Sequence, residues 1–276
     1  PKRSSLWLLF RAKQGPNLVG KDGPCVDMTI VYALPRSGLV QLYILLHPIK
    51  SDGNAIEYFA REIRRLSERL RNDYGASNSN ADLKITIERY NQTRRLLRQL
   101  YKIRNTNDSF LKGSDTVALM TAGLLMDRDE YNSILNQIVK EGILTKPKRT
   151  IAKRLMVVGP LLDNFAILNQ IEDLGAYIAY DSTINGSRYF DLDVETEGDL
   201  YINLAKRYLL SEPSPTLASD QPKEDYLNRL IVDYELHGII YINQKFCEPH
   251  IHNYLFVADL LKKTIVTEQS RTGQII

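Results

Sequence analysis

The sequence predicts an α/β protein with a Rossmann-like, mostly parallel sheet and a helical insert. Two observations support this fold class. Beyond residue 151, short apolar segments alternate with amphipathic segments of helical period, which is typical of parallel strands joined by helices. Between residues 52 and 145, apolar residues recur every three or four positions, so this stretch is predicted to be almost entirely helical. A chain of 276 residues is long enough for more than one compact region.

The first part of the chain is predicted to contain a small N-terminal α/β segment, residues 1–51, and then a helical region, residues 52–145. Three short strands are expected in the N-terminal segment because apolar runs alternate with segments that contain Gly and Pro. These runs cover residues 6–10, 28–34 and 39–46. In the helical region, the first helix is expected to end near Tyr74 and the second to begin after Asn80.

Residues 151–276 are predicted to form a C-terminal α/β domain in which strands lead into helices. The strands are expected at residues 155–158, 177–180, 238–242 and 264–267. Parallel strands end at one edge of a sheet, and open parallel sheets bind ligands there, so the segments after these strands form the candidate site. Gly159, Arg188 and Cys247 all lie in such segments and are therefore predicted to face one cleft.

Cys247 lies in a loop, residues 243–250, between the third strand and a helix. The helix start and the neighbouring Lys245 would stabilise the thiolate, which is the form that binds metal or attacks an electrophile. A buried structural cysteine is the alternative, because free cysteines are among the most buried residues. A zinc site is a weaker alternative, since Cys247 and His250 share a helical face but His252 points elsewhere.

Arg188 follows the turn after the second of these strands. Its guanidinium is a candidate anchor for a phosphate or a carboxylate, because it can form two parallel hydrogen bonds to either group. A surface ion pair with Asp181 or Asp191 is the alternative, and such pairs contribute little to stability.

Composition argues against several classes of function. The 36 Lys and Arg residues nearly balance 33 Asp and Glu residues, and a net charge of +3 does not indicate a nucleic-acid partner. Arginine-rich helix faces are interspersed with glutamates, which is typical of solvated surfaces. No apolar run approaches the roughly 20 residues that span a bilayer, so no membrane span is expected. Two cysteines in the whole chain fit a reducing compartment, and a cytoplasmic location is predicted.

Four strings of the sequence together point to a family. They are residues 158–163 (VGPLLD), 171–176 (IEDLGA), 181–190 (DSTINGSRYF) and 245–250 (KFCEPH). Through these strings the chain resembles subunits of 2-hydroxyacyl-CoA dehydratases and benzoyl-CoA reductases, over about residues 52–276. It looks closest to the cluster-bearing subunits of benzoyl-CoA reductase. Gly159, Pro160, Arg188 and His250 lie in these strings and are the candidate substrate-binding residues.

The resemblance implies a subunit that pairs with a related subunit and holds a 4Fe-4S cluster between its domains. In this family the cluster passes low-potential electrons to a bound acyl-CoA thioester, and an ATP-hydrolysing activator protein supplies those electrons. Cys247 matches a cluster ligand of the family's C-terminal half, and Cys25 is the other thiol of the chain. The implied metal ligands are therefore Cys247 and Cys25.

The chain departs from the family pattern in its cysteines. None stands near residues 34–37, where one is expected, and Ile184 occupies a turn position that is cysteine in many relatives. Two cysteines are too few for the thiolates of a cubane cluster. The alternative is a non-catalytic structural or assembly paralogue without its own cluster. The resemblance also implies that residues 1–51 are a truncated or diverged remnant of an N-terminal α/β domain.

Overall fold

The computed structural model describes residues 9–12, 26–33, 41–74, 79–105, 111–141, 153–162, 166–215, 223–243 and 247–265. In chain order the elements are β1 (Leu9–Ala12), β2 (Val26–Ala33), β3 (Gln41–Pro48), α1 (Gly53–Tyr74), α2 (Asn80–Arg104), α3 (Gly113–Leu125), α4 (Arg128–Glu141), β4 (Lys153–Val158), α5 (Ala166–Asp173), β5 (Ala176–Ser182), α6 (Leu200–Leu209), α7 (Lys223–Asp233), β6 (Gly238–Tyr241) and α8 (Glu248–Ile265). None of these helices combines the length and the apolar content needed to cross a bilayer.

The chain divides into two compact units, each built from two segments. The first unit comprises Pro1–Asn91 and Leu192–Asp220, and the second comprises Gln92–Asp191 and Gln221–Ile276. Helix α2 therefore begins in the first unit and ends in the second. The sequence-based domain bounds, 1–51, 52–145 and 151–276, stay a prediction.

The first unit contains an antiparallel sheet of three strands in the order β1-β2-β3. Leu9 pairs with Tyr32, and Val26 pairs with Pro48. The sequence predicts three strands in this part of the chain, and the structure contains them. Residues 34–40, between β2 and β3, are too few for the crossover of about a dozen residues that parallel strands require. The parallel sheet of the predicted fold is therefore formed by the later strands.

Helices α1 and α6 also belong to the first unit, where they pack against each other. Apolar residues spaced three or four apart give α1 one apolar face, and Phe59 on that face joins Leu209 of α6 in a buried cluster. The start of α6 is capped by Asp199, whose carboxylate accepts hydrogen bonds from the backbone N–H groups of Tyr201 and Ile202, at 2.9 and 3.3 Å.

The second unit contains a parallel sheet in the order β5-β4-β6, with helices packed on both faces. One face of β4 presents Val157, which packs with Leu168 of α5 in a buried cluster. The next residue, Val158, points to the other face and joins a core that includes Leu97 of α2 and Leu230 of α7. Alternation of side chains along a strand explains why neighbouring residues enter different cores. This architecture confirms the predicted α/β fold class. The prediction that a last strand begins at Thr264 is wrong, because α8 continues as a helix to Ile265.

A network of charged side chains and tyrosines, linked by hydrogen bonds, is buried inside the second unit. We name it the buried network: Tyr101, Arg104, Tyr177 and Asp181. The Tyr101 hydroxyl donates to the Asp181 carboxylate at 2.7 Å, and Arg104 Nη1 lies 3.3 Å from the same oxygen. Arg104 also donates to the carbonyl of Ile178, and its own carbonyl accepts from the Tyr177 hydroxyl. Burial raises the pKa of Asp181, and the Arg104 charge opposes that shift.

Candidate functional site

The three parallel strands end together at one edge of their sheet. We name this the carboxyl edge: Val158, Ser182 and Tyr241 with the loops that follow them. Val158 pairs with both Ser182 and Tyr241. The alignment continues past the strands, because Gly159 N–H donates to the Ser182 carbonyl at 3.2 Å and Ile242 N–H donates to the Val158 carbonyl at 2.8 Å. The loops after β4, β5 and β6 therefore start side by side, and the shared cleft of Gly159, Arg188 and Cys247 stays a prediction.

Gly159 has no room for a side chain. A Cβ atom at this position would lie 2.8 Å from the backbone carbonyl oxygen of Ile242. Glycine therefore allows the end of β6 to pass close to the end of β4. This packing role accounts for a glycine at the position, and contact of Gly159 with a substrate stays a prediction.

The loops after β4 and β5 are tied to each other by hydrogen bonds. The carbonyl of Pro160 accepts from Ile184 N–H at 3.4 Å. The Asn185 side chain accepts from Leu162 N–H at 3.0 Å and donates to the Leu162 carbonyl at 2.7 Å. Ile184, at the predicted cysteine position, is 53% exposed in this tied turn. Pro160 is thus part of a braced loop, and its predicted substrate contact stays untested.

Arg188 lies in a short 3₁₀ turn, Ser187–Tyr189, and reaches back to the carboxyl edge. Its Nη2 atom is 3.4 Å from the Ser182 hydroxyl. Asp181, the alternative partner, belongs to the buried network. Burial and the nearby Arg188 charge lower the pKa of Lys223, so a second cation lies near Arg188. Lys223 was not among the predicted site residues, because nothing near it in the sequence indicates that the start of α7 faces this turn.

Tyr241 and His250 connect β6 to α8 at the same edge. The Tyr241 hydroxyl donates to the His250 carbonyl at 3.0 Å and accepts from Asn253 Nδ2 at 3.0 Å. His250 is 3% exposed, and burial, aided by the charge of Arg188, lowers its pKa to about 4, so its ring is neutral at physiological pH. Burial raises the pKa of Tyr241, while the hydrogen bond with Asn253 and the positive charge of Arg188 oppose this shift.

Cys247 stands immediately before α8, and its carbonyl accepts from Ile251 N–H at 3.1 Å. Its thiol is free of any disulfide and half-buried. This agrees with the predicted position of Cys247 at a helix start after β6. Lys245 and Cys25 lie outside the described residues. The metal-ligand roles of Cys247 and Cys25 stay predictions.

The donors of this chain do not fit a complete 4Fe-4S site. Among the described residues, no group of three or more His, Cys, Asp and Glu side chains could hold a metal ion. The whole chain has two cysteines, whereas such clusters are normally held by four thiolates. At most, Cys247 and Cys25 could supply two of the four.

The fold defines the class of protein: an α/β protein in which the loops after three parallel strands start at one edge of the sheet. The chain belongs to the family described as "2-hydroxyglutaryl-CoA dehydratase, D-component", whose model matches residues 11–267. This match confirms the family indicated by the four sequence strings.

Curated relatives carry the names of both branches of that family. The chain is 25% identical over 207 residues to a benzoyl-CoA reductase subunit of Thauera aromatica, covering 73% of this chain and 54% of the relative. It is 20% identical over 198 residues to the (R)-phenyllactyl-CoA dehydratase beta subunit of Clostridium sporogenes, covering 72% and 53%. It is 23% identical over 176 residues to the beta subunit of (R)-2-hydroxyglutaryl-CoA dehydratase of Acidaminococcus fermentans, covering 61% and 46%. The chain thus spans about half the length of these relatives.

Proposed function

We propose that the chain is an iron–sulfur, electron-transferring subunit of an ATP-activated acyl-CoA reductase or 2-hydroxyacyl-CoA dehydratase. The single observation that carries this proposal is the convergence of three strand ends at the carboxyl edge, where Arg188 lies beside Ser182 and His250 beside Tyr241. Ligands of open parallel sheets bind at this edge. Family membership and the names of the relatives support acyl-CoA chemistry for the assembly.

Cys247 is the described residue that best suits an iron ligand. Its half-buried thiol stands at the start of α8, and the thiolate is the form that metals bind. His250 beside it is neutral at physiological pH, so it adds no positive charge there. The further ligands of a 4Fe-4S cluster would come from a related partner subunit, from substrate or from solvent oxygen.

Arg188 and Lys223 suit the anionic part of an acyl-CoA. Two cations held near each other in a half-buried site repel, and the lowered pKa of Lys223 reflects burial together with that repulsion. A phosphate or carboxylate between them would relieve the repulsion and form charge-assisted hydrogen bonds. In this proposal the two residues anchor the substrate, and the braced backbone of Gly159 and Pro160 forms one wall of the same site.

The proposal includes partners. A related subunit would complete the metal site, and an ATP-hydrolysing activator protein would deliver electrons, as the family resemblance implies. The relatives are themselves named as subunits of larger enzymes, which supports an assembly of several chains. A reducing cytoplasm would keep both cysteines as thiols.

The alternative function is a non-catalytic structural or assembly paralogue of the same family, without its own cluster. The cysteine count favours it: the chain has two, and Ile184 stands at a predicted cysteine position. Under this alternative the carboxyl edge would be an inherited part of the fold that no longer takes part in chemistry.

Iron and acid-labile sulfide analysis of the anaerobically purified assembly separates the two functions. The protein would be co-expressed with its partner and compared with the partner purified alone. An electron-transferring role predicts that the chain adds a cluster, on the order of four irons per chain, to what the partner holds. No additional iron and sulfide would overturn the proposal in favour of the structural paralogue.

A further inference from the structure

The turn that carries Arg188 is bonded to the buried network. We name it the Arg188 turn: residues 186–190, which follow β5. Its own backbone closes it, because the N–H group of Phe190 donates to the Ser187 carbonyl at 3.0 Å. The N–H group of Ser187 donates to the carboxylate of Asp181. A fully buried acid of the network therefore accepts a hydrogen bond from the start of the 3₁₀ segment.

The two oxygens of this carboxylate face different elements. Oδ1 faces the Arg188 turn, where a Cβ atom at Gly186 would overlap it, so only glycine fits there. Oδ2 faces α2: the Tyr101 hydroxyl donates to it at 2.7 Å, against 2.9 Å for Oδ1, and Arg104 Nη1 lies 3.3 Å away. Because Asp181 is fully buried, its carboxylate depends on these protein donors.

Helix α2 also holds the far end of the Arg188 turn. Arg98 donates to the carbonyl of Phe190, and the rings of Tyr101 and Phe190 are in contact with centroids 4.5 Å apart. The turn is thus attached to α2 at both ends, through the carboxylate at Ser187 and directly at Phe190. Arg188 lies between these two points.

We propose that Asp181 is a positioning residue: its carboxylate fixes the Arg188 turn to α2 and so determines where the Arg188 guanidinium lies at the carboxyl edge. Hydrogen bonds to a charged group are short and directional, which suits a carboxylate that joins two elements. Asp181 is fully buried and acts through Arg188, not on a ligand. The anchoring of an anion by Arg188 rests on the proposed function, whereas the control of its position does not.

The position of the Arg188 charge can be followed in the full-length chain through His250. Burial lowers the pKa of His250, and the positive charge of Arg188 lowers it further. NMR titration of the histidine rings measures this pKa, and the spectrum of His250→Gln assigns the signal. Arg188→Gln gives the largest rise in the His250 pKa that loss of the charge can produce.

Two tyrosine variants test the role of the carboxylate. Tyr101→Phe removes the hydroxyl that holds Asp181 and should raise the His250 pKa by at least about half of the rise in Arg188→Gln. Tyr177→Phe is the matched control, because it removes another hydroxyl of the buried network that donates to the Arg104 carbonyl. It should leave the His250 pKa unchanged. No rise in Tyr101→Phe, or an equal rise in both variants, would overturn the proposal.

Gly186→Ala tests the same contact from the side of the turn, should Tyr101→Phe fail to fold. Its methyl group would displace the Arg188 turn from Asp181 and should also raise the His250 pKa. Gly53→Ala, where a Cβ atom meets nothing within 4 Å, should not. An unchanged His250 pKa in folded Gly186→Ala would contradict the positioning role.

Binding of inorganic phosphate, measured by calorimetry, distinguishes this inference from the proposed function. Arg188→Gln should weaken phosphate binding about tenfold, and Tyr101→Phe at least about threefold, although neither Tyr101 nor Asp181 contacts the anion. If phosphate affinity is unchanged in Arg188→Gln while the His250 pKa rises in Tyr101→Phe, the anchoring role fails and the positioning role stands. If Arg188→Gln weakens phosphate binding but Tyr101→Phe changes neither quantity, the positioning role is wrong.

Discussion

The buried network and the carboxyl edge are two charged regions of the same unit: the first pairs opposite charges, and the second holds two like charges. In the buried network, Arg104 and Asp181 are both fully enclosed and bonded to each other. At the carboxyl edge, Arg188 and Lys223 are two like charges, each half-buried, and their proximity contributes to the lowered pKa of Lys223. Because Arg104 and Asp181 satisfy each other, loss of either partner would leave a buried charge uncompensated. We therefore assign a structural role to the buried network, whereas the binding role of Arg188 at the carboxyl edge stays a prediction.

The largest difference between these regions is expected in stability. Asp181→Asn leaves the Arg104 charge buried without its counter-charge, and breaking a buried pair on one side costs about 3–5 kcal/mol in the free energy of unfolding. Arg188→Gln removes a repulsion from Lys223 and should cost no more than about 1 kcal/mol. Denaturant unfolding of both variants measures the contrast. Equal losses of unfolding free energy in Asp181→Asn and Arg188→Gln would contradict this difference between the two regions.

The second expected effect is a pH dependence that arises at the carboxyl edge. The pKa of His250 is lowered from 6.5 to about 4, so between these values the unfolded chain binds a proton that the folded chain does not. The free energy of unfolding should therefore fall as the pH drops from about 6.5 to about 4, and His250 should account for about 3 kcal/mol of this fall. Above about pH 6.5, the ionisation of His250 should not affect the free energy of unfolding.

The matched variants for this effect are His250→Gln and Arg188→Gln. Unfolding of His250→Gln across the same pH window should lack the His250 part of the slope. Arg188→Gln should raise the pKa of His250, since the positive charge of Arg188 opposes its protonation. Identical slopes in wild type and His250→Gln would show that the ring is not held neutral by burial.

A smaller effect is expected at Gly159, where two strand ends pass closely. Gly159→Ala places a Cβ atom 2.8 Å from a backbone oxygen that cannot rotate away, so unfolding should become easier by about 1–3 kcal/mol. Gly53→Ala is the control, because a Cβ atom there meets nothing within 4 Å. Equal free energies of unfolding for the two variants would show that the close approach of Ile242 does not restrict position 159.

Local patterns in the sequence predict most of the elements. The apolar spacing around Phe59 predicts α1, and the short apolar runs before Gly159 and after Leu236 predict two of the parallel strands. The family also followed from local strings, and the family match confirms it. These features are encoded by residues that lie close together in the chain, so they can be predicted from a single sequence.

The side-chain pairs that hold the buried network together were not predicted. Arg104 and Asp181 are 77 positions apart, and no local pattern indicates that they meet. The effect of the Arg188 charge on the pKa of Lys223 depends on tertiary packing and has no local sequence signal. The antiparallel direction of the N-terminal sheet likewise depends on loop length and pairing rather than on strand propensity. The ligand roles proposed for Cys247 and Cys25 stay predictions for the same reason, since their partners are not encoded nearby.

The central claim is that the carboxyl edge takes part in the iron chemistry through Cys247. The most direct measurement is the iron and acid-labile sulfide content of the anaerobically purified assembly containing wild-type, Cys247→Ser or Cys25→Ser chain. We expect Cys247→Ser to lose the brown absorbance and the iron that this chain contributes, because a serine hydroxyl does not replace the thiolate, and Cys25→Ser to keep most of both. Iron content undiminished in Cys247→Ser would contradict the account.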